Sequence, residues 1–217
     1  MNQLPINLKP GLHILSGKPK VGKTRLALQI AVQAACDRRQ TLYWTGEDRQ
    51  ESVEGHLQSF SAPLHPVLDF FHVNTNHPYP VSLIHQWLIA NSEAVFPGVG
   101  SGALIILEGR LPELCGPLGE GENAYARDYC VMSGLKALAD QHSAAILLVR
   151  NALSEAAALS GSDGVQGACE SYMILQGTPP HLHICSRDER DQNLFLEFDE
   201  EVCQWRTLPP QEEKAAA

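Results

Sequence analysis

The sequence predicts an α/β fold in which a mainly parallel central sheet is flanked by helices and closed by a C-terminal antiparallel β extension. Three observations carry that prediction. The runs ALIIL at 103–107 and AAILLV at 144–149 are continuously apolar, as strands buried on both faces of a parallel sheet are. Strand-like and helix-like stretches alternate before them and between them. From Ser171 onward the texture changes to short strands divided by turns.

The elements follow in order. GLHILS at 11–16 reads as a short buried strand, and the Gly-containing turn after it opens onto TRLALQIAVQAAC, a run of strong helix formers. TLYWTG at 41–46 is a second strand, ending at Glu47 and Asp48, acids suited through the helix dipole to starting a helix at about 49–60. Asp69–Val73 suggests a third strand and Val81–Ala94 a helix. Gly109–Asn123, rich in Gly, Pro and Glu, reads as a loop, after which Tyr125, Tyr129, Met132, Leu135 and Leu138 mark one helix face and plain core packing. Residues 151–164 are small and polar and predict a mobile loop. SYMILQ, HLHICS, NLFLEF and VCQWRT, separated by turn signals at Gly177–Pro180 and Asp188–Asp191, predict an antiparallel meander. The expected organisation is one domain over 1–207 and a disordered tail over 208–217.

Composition narrows the class. The 217 residues can bury one substantial core, and no stretch approaches the roughly 18 uninterrupted apolar residues of a membrane helix. Without a leader-like N-terminus, the expectation is a soluble cytoplasmic protein with no membrane partner. The six cysteines form no CxxC pair, which predicts reduced thiols, and the nine histidines show ligand-like spacing only at His181 and His183. The net charge is −9, and of the 16 Lys and Arg only Arg110, Arg127, Lys136 and Arg150 lie between residues 50 and 186. Any surface that neutralises a nucleic-acid backbone must therefore be small or shared between subunits.

Gly17-Lys18-Pro19-Lys20-Val21-Gly22-Lys23-Thr24 satisfies GxxxxGK[ST] in full and sits between a strand and a helix. The glycines permit a backbone that points amide hydrogens at phosphates, and the helix N-terminus adds partial positive charge. Lys23 would reach the outer phosphates and the Thr24 hydroxyl would ligate Mg²⁺, which makes ATP with Mg²⁺ the expected ligand pair. Glu108 ends the ALIIL strand, where an acid that holds Mg²⁺ through water belongs, and Glu47 ends a strand expected beside it. Two carboxylates at strand ends beside such a loop suit nucleotide hydrolysis, because ligands in open α/β sheets bind at that edge.

The order GLHILSGKPKVGKTRLALQIA, TLYWTGED, ALIILEGR and GENAYARDYCVMSGLKALADQHSAAILLV resembles the RecA-like ATPases, especially the RepA-type hexameric helicases of plasmids and phages, over roughly residues 11–207. The resemblance implies a RecA-like P-loop NTPase acting as a homo-oligomeric ring or filament in DNA replication, recombination or repair, with single-stranded DNA or another DNA-processing protein as partner. It implies Glu47 as the catalytic glutamate and Arg187 as a finger reaching a neighbouring subunit's γ-phosphate. Three positions depart from the pattern: Glu108 replaces the usual aspartate, Arg150-Asn151 stands where His or Gln senses phosphate, and Ser160-Gly161-Ser162 stands for Arg-Gly-Ser. Asn151 could donate the sensing hydrogen bond, or Arg150 could supply charge. These departures and the Arg-poor loops keep a second reading open, a nucleotide-binding scaffold that hydrolyses little. A small-molecule kinase fits less well, since the long loop after Arg150 lacks the arginines of a phosphate lid.

Overall fold

The computed structural model describes residues 3–60, 68–76, 80–91, 102–109, 121, 123–151 and 169–209. The expected loops at 109–123 and 151–164, and the expected tail at 208–217, lie almost wholly outside the described residues. The strands are β1 (Gly11–Gly17), β2 (Thr41–Thr45), β3 (Phe71–Asn74), β4 (Leu104–Glu108), β5 (Ala145–Asn151), β6 (Ser171–Gln176), β7 (His181–Ser186), β8 (Gln192–Asp199) and β9 (Gln204–Thr207). The helices are α1 (Lys23–Cys36), α2 (Gln50–Ser59), α3 (Val81–Asn91) and α4 (Ala124–Gln141). The strands form one sheet in the order β3-β2-β4-β5-β1-β6-β7-β8-β9. The first six in that order run parallel, and β6 to β9 are antiparallel, as the change of texture at Ser171 predicts.

Burial on both faces explains the apolar runs. Leu104, Ile106, Leu147 and Val149 face α1, whereas Ile105, Leu107, Ile146 and Leu148 face α3 and α4. Each such side chain, removed from water, contributes about 1.5–3 kcal/mol, so the middle strands anchor the domain. On α4, Val131, Met132, Leu135, Leu138 and Ala139 are buried, but Tyr129 is 49% exposed. At 3.6 residues per turn Tyr129 lies about 120° around the helix from Leu135, outside the buried arc. The strand expected from Asp69 begins at Phe71, because Leu68–Phe70 form a 3₁₀ turn.

Helix α1 is buried on nearly every side, with Leu26, Leu28, Ile30 and Val32 all enclosed. One side meets the sheet; the others are covered by the antiparallel extension and by the N-terminal segment, where Leu4, Ile6 and Leu8 are buried in the same cluster. Gln29, fully buried, donates from Nε2 to Trp205 O (2.9 Å) and accepts from Trp205 N at Oε1 (2.7 Å), joining β9 to the helix. No helix among the described residues is long and apolar enough to cross a membrane.

Arg39, 8% exposed, closes the sheet edge opposite the C-terminal ends of the parallel strands. Its guanidinium donates to Gly102 O (2.5 Å), Leu8 O (3.0 Å) and Ala103 O (3.3 Å), and burial lowers its pKa to about 10. Arg39→Ala leaves these carbonyls unsatisfied and is expected to lower the unfolding free energy by about 2–4 kcal/mol, read as a reduced urea midpoint with an unchanged slope. A loss under about 1 kcal/mol would show that water replaces the guanidinium.

Candidate active site at the C-terminal edge of the parallel strands

Strand register brings the predicted residues to one edge. Gly17 pairs with Asn151, Thr45 with Glu108, and Glu108 with Val149, so the turn after β1, the turn after β2 and the ends of β4 and β5 lie side by side. The turn after β1 is closely confined. A Cβ at Gly17 would fall 2.5 Å from Leu175 O, and one at Gly22 would fall 2.6 Å from the Trp205 ring. Gly22 also has φ 99°, a left-handed conformation that glycine adopts without strain, and it caps α1. The sequence pattern requires glycine at both positions, and the enclosing backbone and indole supply the reason.

Lys23 is 6% exposed and its Nζ donates to Lys18 O (2.7 Å), folding the side chain back along the loop. Burial lowers the Lys23 pKa, against the opposing influence of Glu108 and Glu47. Thr24 Oγ1 donates to Glu108 Oε1 (2.5 Å). The other carboxylate oxygen, Oε2, accepts from the Tyr43 hydroxyl. Tyr43 is fully buried in β2, two residues before Thr45 and hence on the same face. It is the site residue that motif reading misses. The period-2 geometry of TLYWT, set beside a strand ending in Glu108, would have pointed to it.

Glu108 is an acid 5% exposed. Burial raises its pKa, the hydrogen bonds from Thr24 and Tyr43 pull it down, and Asp48 and Glu47 push it up, with a net rise. Glu47 is exposed just beyond β2, where Thr45 Oγ1 accepts from the amides of Glu47 (3.2 Å) and Asp48 (3.1 Å) and fixes the turn. A cavity of about 320 Å³ is lined by Lys23, Thr24, Glu47, Glu108, Arg150 and Asn151, among others. A second, of about 500 Å³, lies against the same loop and is bounded by Lys18, Val21, Gln176 and Thr178. A larger cavity of about 1180 Å³ borders the N-terminal segment near Gln33 and Arg39, away from these groups.

Neither the protein-family models nor the curated protein sequences match this chain. Among solved structures, the ATPase domain of a phage replicative helicase is similar with a TM-score of 0.69 and 12% identity, over 92% of this chain and 85% of that one. The chain has a RecA-like fold. Its mainly parallel sheet, flanking helices and antiparallel closing strands are those of a RecA-like P-loop domain, which is the architecture the sequence predicts.

Arg187 is absent from this edge. It follows β7, whose end pairs with the start of β6, and β6 starts beside His13 in β1, so Arg187 sits at the opposite edge of the sheet from its own P-loop. There its Nη1 lies 3.6 Å from Glu170 Oε1, which also takes a bond from Lys136 Nζ (2.5 Å), and its Nη2 donates to Cys169 O (3.3 Å). Arg110 and Ser160-Gly161-Ser162 lie outside the described residues. His181 and His183 do not converge on one point: His181 meets Gln176 and the Phe195 ring, while His183 meets Asn193 and Cys185.

The Glu108 pKa shift gives a signed prediction. Because its folded-state pKa is raised, its favourable contribution to folding is fully present below the unfolded-state value and is lost as pH rises through the folded-state one. Glu108→Gln cannot ionise, so its stability relative to the parent protein is expected to rise between about pH 4 and about pH 8 in denaturant titrations. A difference that stays flat or shrinks across that range would refute the raised pKa.

Proposed function

We propose that this chain is a Mg²⁺-dependent ATP-binding RecA-like ATPase that works as an oligomer in DNA replication, recombination or repair in the cytoplasm. The observation that carries this reading is the convergence of Lys23, Thr24, Glu108, Glu47 and Asn151 on one cavity at the N-terminus of α1. The donor set suits the ligands. Backbone amides at a helix N-terminus and a lysine ammonium match phosphates, and the hydroxyl and carboxylate oxygens of Thr24 and Glu108 are the hard donors that Mg²⁺ prefers. Thr24 would hold the cation directly and Glu108 through water; the cation supplies neutralisation of phosphate charge.

The roles of the chain's own groups follow from position. Residues 17–24 bind and orient the triphosphate, and Lys23 offsets charge at its outer end. Glu47, at the cavity wall and exposed, orients the attacking water, whereas Glu108, buried and already accepting from Thr24 and Tyr43, is held for the cation. Asn151, at the end of β5 beside Gly17, donates its amide to the terminal phosphate. The location of Arg187 at the far edge supports a role in a neighbour's site rather than its own. That role calls for a ring or filament, with single-stranded DNA or a DNA-processing protein as partner.

A second reading, a nucleotide-controlled scaffold with little turnover, is favoured by the absence of Lys and Arg between 151 and 186, which leaves little charge for gripping nucleic acid. Steady-state ATP turnover with and without single-stranded DNA separates the two. The ATPase reading predicts turnover that DNA stimulates several-fold, and Glu47→Gln retaining ATP affinity while losing at least about a hundredfold in turnover. Unstimulated, very slow turnover would favour the scaffold, and full turnover in Glu47→Gln would remove that residue from the mechanism.

A further inference from the structure

Among the described residues, one group of three metal-capable side chains brings its ligand atoms together: His183, Cys185 and Asp191 each offer an atom within 4.8 Å of the others. It stands apart from the nucleotide site. β6 separates β7 from β1, and Cys185 pairs with Tyr172, near the start of β6 and away from the P-loop edge. The local geometry follows from strand periodicity. His183 and Cys185, two apart on β7, share a face, while the inward-facing Leu182 and Ile184 pack into the core. The turn into β8 then folds Asp191 back over them.

The orientation of the imidazole is fixed. Asn193, opposite His183 in the ladder, presents Oδ1 2.8 Å from His183 Nδ1. An amide oxygen only accepts, so Nδ1 carries the hydrogen and Nε2 keeps a lone pair. That lone pair faces Cys185 Sγ at 3.0 Å, and Sγ lies 3.7 Å from Asp191 Oδ2. Bonds of about 2.0–2.3 Å in a tetrahedral zinc site separate ligand atoms by about 3.3–3.8 Å, so only small side-chain adjustments are needed. An outer hydrogen bond that sets the ligating nitrogen is also what such sites use.

We propose that His183 Nε2, Cys185 Sγ and Asp191 bind one Zn²⁺ ion, with a fourth position left to water or an exogenous ligand. The mixed nitrogen, sulfur and oxygen set favours a borderline-soft cation and disfavours Mg²⁺. Binding replaces the sulfur–hydrogen bond with a sulfur–metal bond and releases that proton to solvent. A nucleophilic cysteine is the poorer fit, since burial and the adjacent Asp191 raise the Cys185 thiol pKa and so oppose a free thiolate. The ion would tie β7 to the turn that carries Arg187, although the proposal does not depend on how the nucleotide site is used.

Co²⁺ titration of the full chain, freed of metal under reducing conditions, tests this. Oxygen donors at Thr24 and Glu108 give no sulfur-to-cobalt charge-transfer band, so that band reports thiolate ligation alone. The expected result is one equivalent of Co²⁺ with such a band, bleached by Zn²⁺, absent in Cys185→Ser, and reached in Asp191→Asn only at about tenfold or more higher cobalt. Asn193→Ala is expected to weaken binding similarly through the imidazole. No band in the parent protein, or an undiminished band in Cys185→Ser, would overturn the proposal. Because Asp191 lies on an exposed turn, Asp191→Asn keeps the test decisive if Cys185→Ser does not fold.

Discussion

The contact that organises this molecule is the acceptance by one buried carboxylate of hydrogen bonds from two directions. Glu108 takes the Thr24 hydroxyl on Oε1 and the Tyr43 hydroxyl on Oε2, so that α1, β2 and β4 meet at a single group. Burying an acid is unfavourable unless donors compensate, and two hydroxyls supply that compensation in a dry environment. The arrangement requires aligned strand ends, and the Thr45–Glu108–Val149 register provides them. Glutamate at this position is also the departure from the usual aspartate, and Tyr43 gives it a physical setting: the longer acid is pinned from the side opposite the helix.

Around that contact the P-loop is held from two sides. Leu175 O and the Trp205 ring leave no room for a side chain at Gly17 or Gly22, and Gln29 fastens β9 to the helix through the Trp205 backbone. The antiparallel extension is therefore part of the site's support. A strand more than 180 residues downstream touches the loop that grips phosphate, and Trp205 Nε1 donates to Gly22 O (3.4 Å). The resulting loop is preorganised, which lowers the ordering cost of binding a triphosphate.

Much of this was legible in the sequence because its causes are local. Continuous apolar runs identify strands buried on both faces, and SYMILQ and HLHICS match β6 and β7 residue for residue. The GxxxxGK[ST] spacing identified the P-loop, and the positions of Glu47, Glu108 and Asn151 at strand ends predicted their meeting at one edge. What escaped depends on distant partners. Tyr43 looks like any strand aromatic until β2 is paired with β4, and Arg39 looks like a solvated helix-end residue until it is seen among three carbonyls. The pairing of His183 with Cys185 and Asp191, rather than with His181, depends on how the turn into β8 folds, which composition does not specify.

The central claim is that Thr24 and Glu108 form the cation end of a triphosphate site. The most direct measurement is the affinity for a slowly hydrolysed ATP analogue, with Mg²⁺ and with a chelator, in the parent protein and in Thr24→Val, a change that preserves volume and removes the hydroxyl. The account predicts that the parent loses at least about tenfold in affinity without Mg²⁺, and that Thr24→Val binds weakly with little further dependence on the cation. Parent-protein binding that ignores both Mg²⁺ and the Thr24 hydroxyl, or no binding at all, would contradict it.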